Sequence, residues 1–183
     1  MRQPVTANRV EEFMIALGRG LKSPVRVFLV GGASAVLLGW RDSTIDIDLK
    51  AIPERDDILR QLSALKEQLE INIELASPDN FIPELPGWEE RSKFVRQEGK
   101  ATFLHYDFYA QALAKIERGH EHDLRDAHEM VRSKLVESRR LIEMFSEIED
   151  DIQMYPALDA PSFRRAVELF VSQVGKDQAG QSD

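Results

Sequence analysis

Residues 27–50, VFLVGGASAVLLGWRDSTIDIDLK, limit the folds open to this chain more than any other stretch. VFLV is a β-branched and aromatic run stopped by Gly31-Gly32, which reads as a buried strand entering a tight turn. ASAVLLGW is apolar and mostly helix-favouring, so the turn leads straight into a helix packed on the sheet. TIDIDLK then alternates, the mark of a second strand. Side chains two apart on a strand share a face, so Asp46 and Asp48 point one way while Ile45, Ile47 and Leu49 point the other. One face is a core and the other concentrates negative charge.

The flanking segments read as elements that serve this stretch. Val10, Phe13, Met14 and Leu17 recur at helical spacing, so Asn8 to Leu17 forms an opening helix. Beyond a turn at Pro53 to Asp57, Ile58, Leu62, Leu65 and Leu69 mark a second amphipathic helix, and a βαβ order emerges. Glu70 to Ala76 alternates Ile71, Ile73 and Leu75 against Glu70, Asn72 and Glu74, giving a third strand with a second acidic face. Residues 77–88, SPDNFIPELPGW, hold three prolines and read as a long ordered loop. Lys100 to Tyr106 reads as a further strand. A helix follows from Tyr106 or Asp107 through Phe108, Ala112, Leu113 and Ile116. Leu124, Ala127, Val131, Leu135, Leu141 and Ile142 form the stripe of the next, Asp123 to Phe145, with a break near Ser138 left open. After a linker at Asp150 to Pro161, a last helix covers Ser162 to Val174 with Phe163, Val167, Phe170 and Val174 inward. The tail from Gly175 is expected to be disordered.

The expected fold class is therefore α/β (α+β), a mixed sheet flanked by helices with a helical C-terminal part. The expected division is a core over 1–106, a helical region over 107–174 packed on it, and a tail over 175–183. No apolar run approaches the roughly 20 residues that span a bilayer, and the first residues carry no apolar signal-like segment, so no membrane role is expected. The chain has no cysteine, which removes disulfides and thiolate chemistry and fits a cytoplasmic protein. A net charge of −8 argues against a surface that coats nucleic acid and leaves room only for a focused contact.

Familiar glycine and serine motifs fail on spacing. Gly31-Gly32-Ala33 has neither the G-x-G-x-x-G order nor a G-K-[ST] ending, and Ser34 lacks the closing glycine of a nucleophile elbow. What survives is phosphate and metal chemistry. Two carboxylates on one strand face repel unless a cation lies between them, and Mg²⁺ bridges such carboxylates to substrate phosphates. Glycines at a strand-to-helix turn let backbone N–H groups approach phosphate without a Cβ in the way. A third acid on a neighbouring strand would complete a two-metal site. Glu74 is the first candidate, with Glu70 and Asp79 behind it.

The run GGASA, a short apolar helix and then R-D-S-T-I-D-I-D-L resemble the signature of the nucleotidyltransferase superfamily that includes DNA polymerase β-like and antibiotic-modifying enzymes. The resemblance is closest to AbiEii/AbiGii-type toxin nucleotidyltransferases and their small relatives. F-Y-A-Q-A-L-A-K-I-E-R-G-H-E-H-D-L-R-D-A, farther along, is similar to the toxin pattern of K-x-x-R followed by D-x-x-D. The match covers about residues 27 to 130. It implies Mg²⁺ (or Mn²⁺) dependence and transfer of a nucleotide from an NTP to an acceptor hydroxyl, with tRNA or a protein as acceptor and a cognate antitoxin as partner. It also implies that Asp46, Asp48 and Glu74 hold metal, and that Gly31, Gly32, Ser34, Arg41 and Thr44 line the nucleotide. Lys115 and Arg118 would meet the triphosphate, with Asp123 or Asp126 in support.

Plainer roles compete at several positions. Ser34 suits a helix start, Arg41 a surface ion pair, Lys115 a snorkelling lysine on an apolar helix, and Asp123 and Asp126 the opening turn of the next helix. His120 and His122, in a polar turn, read as exposed rather than metal-binding. Trp40, Trp88, Tyr106 and Tyr109 read first as packing residues. Two rival functions remain: a non-catalytic nucleotidyltransferase-fold module that binds nucleotide or a partner, and a metal-dependent phosphohydrolase.

Overall fold

In a computed structural model, residues 4–180 are described, with side chains through residue 177. The chain divides into two units, one of residues 1–77 and 92–106 and the other of residues 78–91 and 107–183.

The first unit carries a five-stranded sheet. Helix α1 (Ala7–Gly20) leads into strand β1 (Val25–Val30), followed by helix α2 (Gly31–Leu37), β2 (Asp46–Ile52), helix α3 (Asp56–Gln68), β3 (Asn72–Leu75), β4 (Lys93–Glu98) and β5 (Ala101–His105). The strand order is β3-β2-β1-β5-β4. β1 is parallel to β5 and antiparallel to β2, whereas β2 is parallel to β3. The sheet is thus mixed, as the sequence suggests, but β1-α2-β2 is not a parallel crossover. Seven helical residues advance only about 10 Å, half the roughly 20 Å of a six-residue strand. The chain therefore re-enters the sheet at the end where β1 stopped. The thirteen residues of α3 rise about 20 Å, enough to return the chain and set β3 parallel to β2.

One sheet face is apolar. Val27 and Leu29, Ile47 and Leu49, Ile73, and Phe103 pack with Val10, Phe13, Met14 and Leu17 of α1 and Ile58, Leu62 and Leu65 of α3. The β2 burial alternates as its sequence does, leaving Asp46 and Asp48 half-buried on the other face. Ile45 departs from expectation and is 80% exposed. It precedes the strand, because Thr44 is tied by its backbone to Val5 at 2.7 and 2.9 Å and turns the chain. Leu75, at the end of β3, is also exposed. β4 has no counterpart in the sequence reading: its pairing shifts between Phe94 and Arg96, and this irregularity erases the period of two.

The second unit is helical among its described residues. The proline-rich segment contains a 3₁₀ turn at Pro78–Asn80 and ends in the single-turn helix α4 (Trp88–Arg91). Helix α5 (Phe108–Arg118) is buried along most of its length. It is capped by the Asp107 carboxylate, which accepts from the Tyr109 N–H at 3.1 Å, and closed by Gly119 in the left-handed region. Helices α6 (Glu121–Arg132) and α7 (Arg140–Ile148) replace the single long helix, with the break spread over 133–139. A 3₁₀ segment, Glu149–Met154, occupies part of the expected linker, and helix α8 (Ala160–Gly180) follows. Phe145 and Phe163 meet edge to face at 4.8 Å between α7 and α8. α8 continues through Gly180 where an irregular tail was expected from Gly175, and residues 181–183 lie outside the described residues.

Candidate metal and phosphate site

The register of β2 on β3 sets Asp48 opposite Glu74 and Asp46 opposite Asn72, while Asp48 also faces Val30 of β1. Two short strands therefore bring three acids together: Asp46, Asp48 and Glu74 each offer an oxygen within 4.8 Å of the others'. Glu70 and Asp79 are not part of this group; Glu70 sits in a left-handed turn before β3, and Asp79 belongs to the second unit. Asn72 donates from Nδ2 to Glu74 Oε1 at 2.8 Å and so fixes one side of that carboxylate.

The electrostatics fit a cation. Burial, and then the charge of Glu74, push the Asp46 carboxyl above its ordinary value, opposed by its own backbone N–H and by Arg41. Three carboxylates at this separation repel one another, and hard oxygen donors of this kind suit Mg²⁺ or Mn²⁺.

The double-glycine turn borders this group. Gly31 has φ of 56°, a conformation that glycine adopts without strain, and a Cβ there would come 3.6 Å from Asp48 Oδ2. Gly32 packs so tightly on Thr44 that a Cβ would lie 2.0 Å from Thr44 Oγ1 and 2.6 Å from its Cβ. Thr44 is thus a buried support behind the turn, with its backbone paired to Val5. Since α2 is only two turns long, contact with a phosphate would come from individual backbone N–H groups rather than from a long helix dipole.

Ser34 lies elsewhere than the phosphate-binding expectation. It is fully buried, its hydroxyl donates to the Leu29 carbonyl at 3.1 Å, and its oxygen lies 2.8 Å from His105 Nδ1. A hydroxyl committed to the core is not available to a ligand. Burial lowers the His105 pKa to about 4, so the ring is neutral and ties β5 to the first turn of α2. No sequence motif marks His105; only its place at the end of an alternating strand hints at an inward ring.

The second unit holds a separate charged cluster. Lys115 Nζ lies 2.9 Å from Asp123 Oδ1 and 2.7 Å from Asp126 Oδ2, and Arg118 Nη2 lies 2.9 Å from Asp123 Oδ1. Lys115, Asp123 and Asp126 are all buried. Burial alone would raise the Asp123 pKa, yet the hydrogen bond and charge of Lys115, with Arg118 and His122, hold it below its ordinary value. Lys115 is neither a snorkelling lysine nor an uncommitted cation. Asp123 and Asp126 are its buried partners rather than mere helix-start acids. Arg118 keeps an exposed flank, with 42% of its side chain accessible. His120 and His122 are exposed, as their polar turn suggests, with rings stacked at 5.8 Å.

Neither a curated protein nor a solved structure matches this chain significantly. A family model described as "Nucleotidyltransferase of unknown function (DUF6036)" matches residues 9–174, which takes in the glycine turn, the three carboxylates and the Lys115 cluster. With that match extending over most of its length, the chain belongs to this nucleotidyltransferase family.

Proposed function

We propose that the protein is a metal-dependent enzyme that moves a nucleoside monophosphate from an NTP to an acceptor hydroxyl. The observation that carries this reading is the convergence of Asp46, Asp48 and Glu74 beside the Gly31-Gly32 turn. Asp46, Asp48 and Glu74 would hold Mg²⁺ or Mn²⁺, which when bound supplies charge neutralisation at the phosphates and activation of the attacking oxygen. Gly31 and Gly32 leave room for the phosphates to approach the backbone, Thr44 props the turn, and Arg41 tempers the negative charge of Asp46. Ser34 and His105 hold the turn from behind. Attack forms a bond from the acceptor oxygen to the α-phosphorus and breaks the α–β phosphoanhydride. Pyrophosphate leaves, and the acceptor's proton passes to solvent.

The resemblance to AbiEii/AbiGii-type toxins supports a finer reading: a cytoplasmic toxin that acts on tRNA or a protein and is restrained by a cognate antitoxin. Of the two cations that the resemblance assigns to the triphosphate, this reading gives any phosphate contact to Arg118. Lys115 takes the holding role that its buried carboxylates already define.

Purified protein incubated with Mg²⁺, each labelled NTP and cell extract should label an acceptor, and Asp46→Asn should abolish that labelling. Release of free phosphate with no labelled acceptor would favour a phosphohydrolase. Calorimetric NTP binding with no chemistry would favour a binding module, and absence of both labelling and NTP binding would sink the proposal.

A further inference from the structure

Residues 132–140, the connection between α6 and α7, break several local rules in one place. Lys134 holds φ of 59°, a left-handed conformation costly for any residue but glycine. Arg139 and Arg140 stand at the start of α7, where positive charge opposes the helix dipole. Arg132, Lys134, Arg139 and Arg140 crowd around the single acid Glu137, in a chain whose net charge is −8. Arg132 is taken by Glu129 at 2.8 Å, and Arg140 lies 5.4 Å from the centre of the Tyr109 ring. Among the described residues, Lys134 and Arg139 have no carboxylate partner.

Those two cations line a cavity of about 370 Å³ whose other walls are Val131, Val136, Glu137 and Ser138. The Glu137 backbone N–H donates to the Tyr109 hydroxyl at 3.1 Å, which pins the connection to α5. Strain and like charge kept together on a pinned loop mark a place where a ligand compensates for both. The volume falls in the range of small-ligand pockets. Buried Val131 and Val136 offer an apolar wall, Lys134 and Arg139 match phosphate, and Ser138 adds a hydroxyl. Glu137 decides the class. An acidic peptide would set its own carboxylates against Glu137, whereas a ribose 2′-hydroxyl can donate to it.

We infer that this cavity binds one nucleotide of a single-stranded RNA, with Lys134 and Arg139 on phosphate, the valines against the base and Glu137 on the 2′-hydroxyl. This deepens the acceptor side of the nucleotidyltransferase reading and rests on it for biological sense, but the binding itself does not require catalysis. The test titrates the full chain into a short fluorescein-labelled single-stranded RNA of mixed sequence, by anisotropy at several salt concentrations. DNA of the same sequence and polyglutamate serve as competitors.

Two phosphate contacts on a single strand contribute about 1.4 to the slope of log affinity on log salt. The double variant Lys134→Gln/Arg139→Gln should lose about that slope, and Arg139→Gln alone about half of it, both melting like the native protein. Should the double variant melt early, the single one carries the test. The inference is overturned if the native chain does not bind RNA, if a folded variant keeps the native slope, or if DNA or polyglutamate competes as well as RNA. If RNA binds and the variants lose it, yet no NTP labels any acceptor, the catalytic reading falls and this one stands.

Discussion

Replacing Lys115 with methionine tests how the second unit is held together. The substitution keeps the apolar stem and removes the ammonium that bridges Asp123 at 2.9 Å and Asp126 at 2.7 Å. Asp123 retains Arg118, but Asp126 loses the buried cation that faces it. Stripping one partner from a buried ion pair costs about 3–5 kcal/mol, because the charge that stays behind was desolvated against the one removed. A fold of this size is stable by about 5–15 kcal/mol, and each kcal/mol moves the melting temperature by about 2–4 °C. Lys115→Met should therefore melt about 6–20 °C below the native chain in a circular dichroism scan at pH 7. Adding Asp126→Asn should recover part of the loss, since one of the two carboxylates that Lys115 bridges then carries no charge. A single variant melting within about 2 °C of native, or a double variant no better than the single, would refute the reasoning. The outcome also governs how activity data are read, because a Lys115 variant that loses activity by unfolding says nothing about contact with a triphosphate.

Four further outcomes follow from the first unit. Asp46→Asn should leave the metal-free protein no less stable than the native one, since it removes a carboxylate whose raised pKa means that ionisation opposes folding. The native protein should gain about 2.7 kcal/mol at Mg²⁺ a hundredfold above its dissociation constant, and an equal gain in melts of the Asp46→Asn variant would contradict the assigned ligand set. Gly32→Ala should cost about 1–3 kcal/mol by overpacking against Thr44, with partial recovery on Thr44→Ala; a neutral result in chemical denaturation would mean the turn has slack. His105 has a folded pKa of about 4 against an ordinary 6.5, so the unfolded chain binds more protons between those values. Its contribution is full above pH 6.5 and lost as the pH falls towards 4, up to about 3 kcal/mol, and His105→Gln should flatten that limb of the stability profile.

Much of the first unit was legible because β2 and β3 obey a period of two and Gly31-Gly32 mark the turn between β1 and α2. TIDIDLK and EINIELA each declare a buried and an acidic face, and once β3 is parallel to β2 those faces align Asp48 with Glu74. What alternation cannot convey is direction. The antiparallel β1–β2 pairing follows from the short reach of α2, and the edge position of β4 is hidden by its irregular register. In the second unit, the break between α6 and α7 carries no glycine or proline, because Lys134 takes the left-handed turn itself. Ser34 was misplaced for a related reason: a hydroxyl near glycines reads as a ligand until the partner that claims it, His105, arrives from the far side of the chain. Lys115 on an apolar helix likewise gives no sign of its partners until the next helix folds back on it.

Glu74 belongs to a four-residue strand at the outer margin of the sheet, laddered to β2 alone. Such a strand is held by one neighbour and opens at lower cost than the interior ones, which makes β3 the place where the three acids would come apart first. Were these acids to hold a cation, its affinity would include the work of keeping β3 in place. The amides of Ile73 and Leu75 should exchange with deuterium more slowly once Mg²⁺ is added, while those of β1 keep their rate; equal slowing in both strands would disconnect the two processes. The margin of the sheet then does more than bound the fold, because it sets how firmly the third acid is held beside the other two.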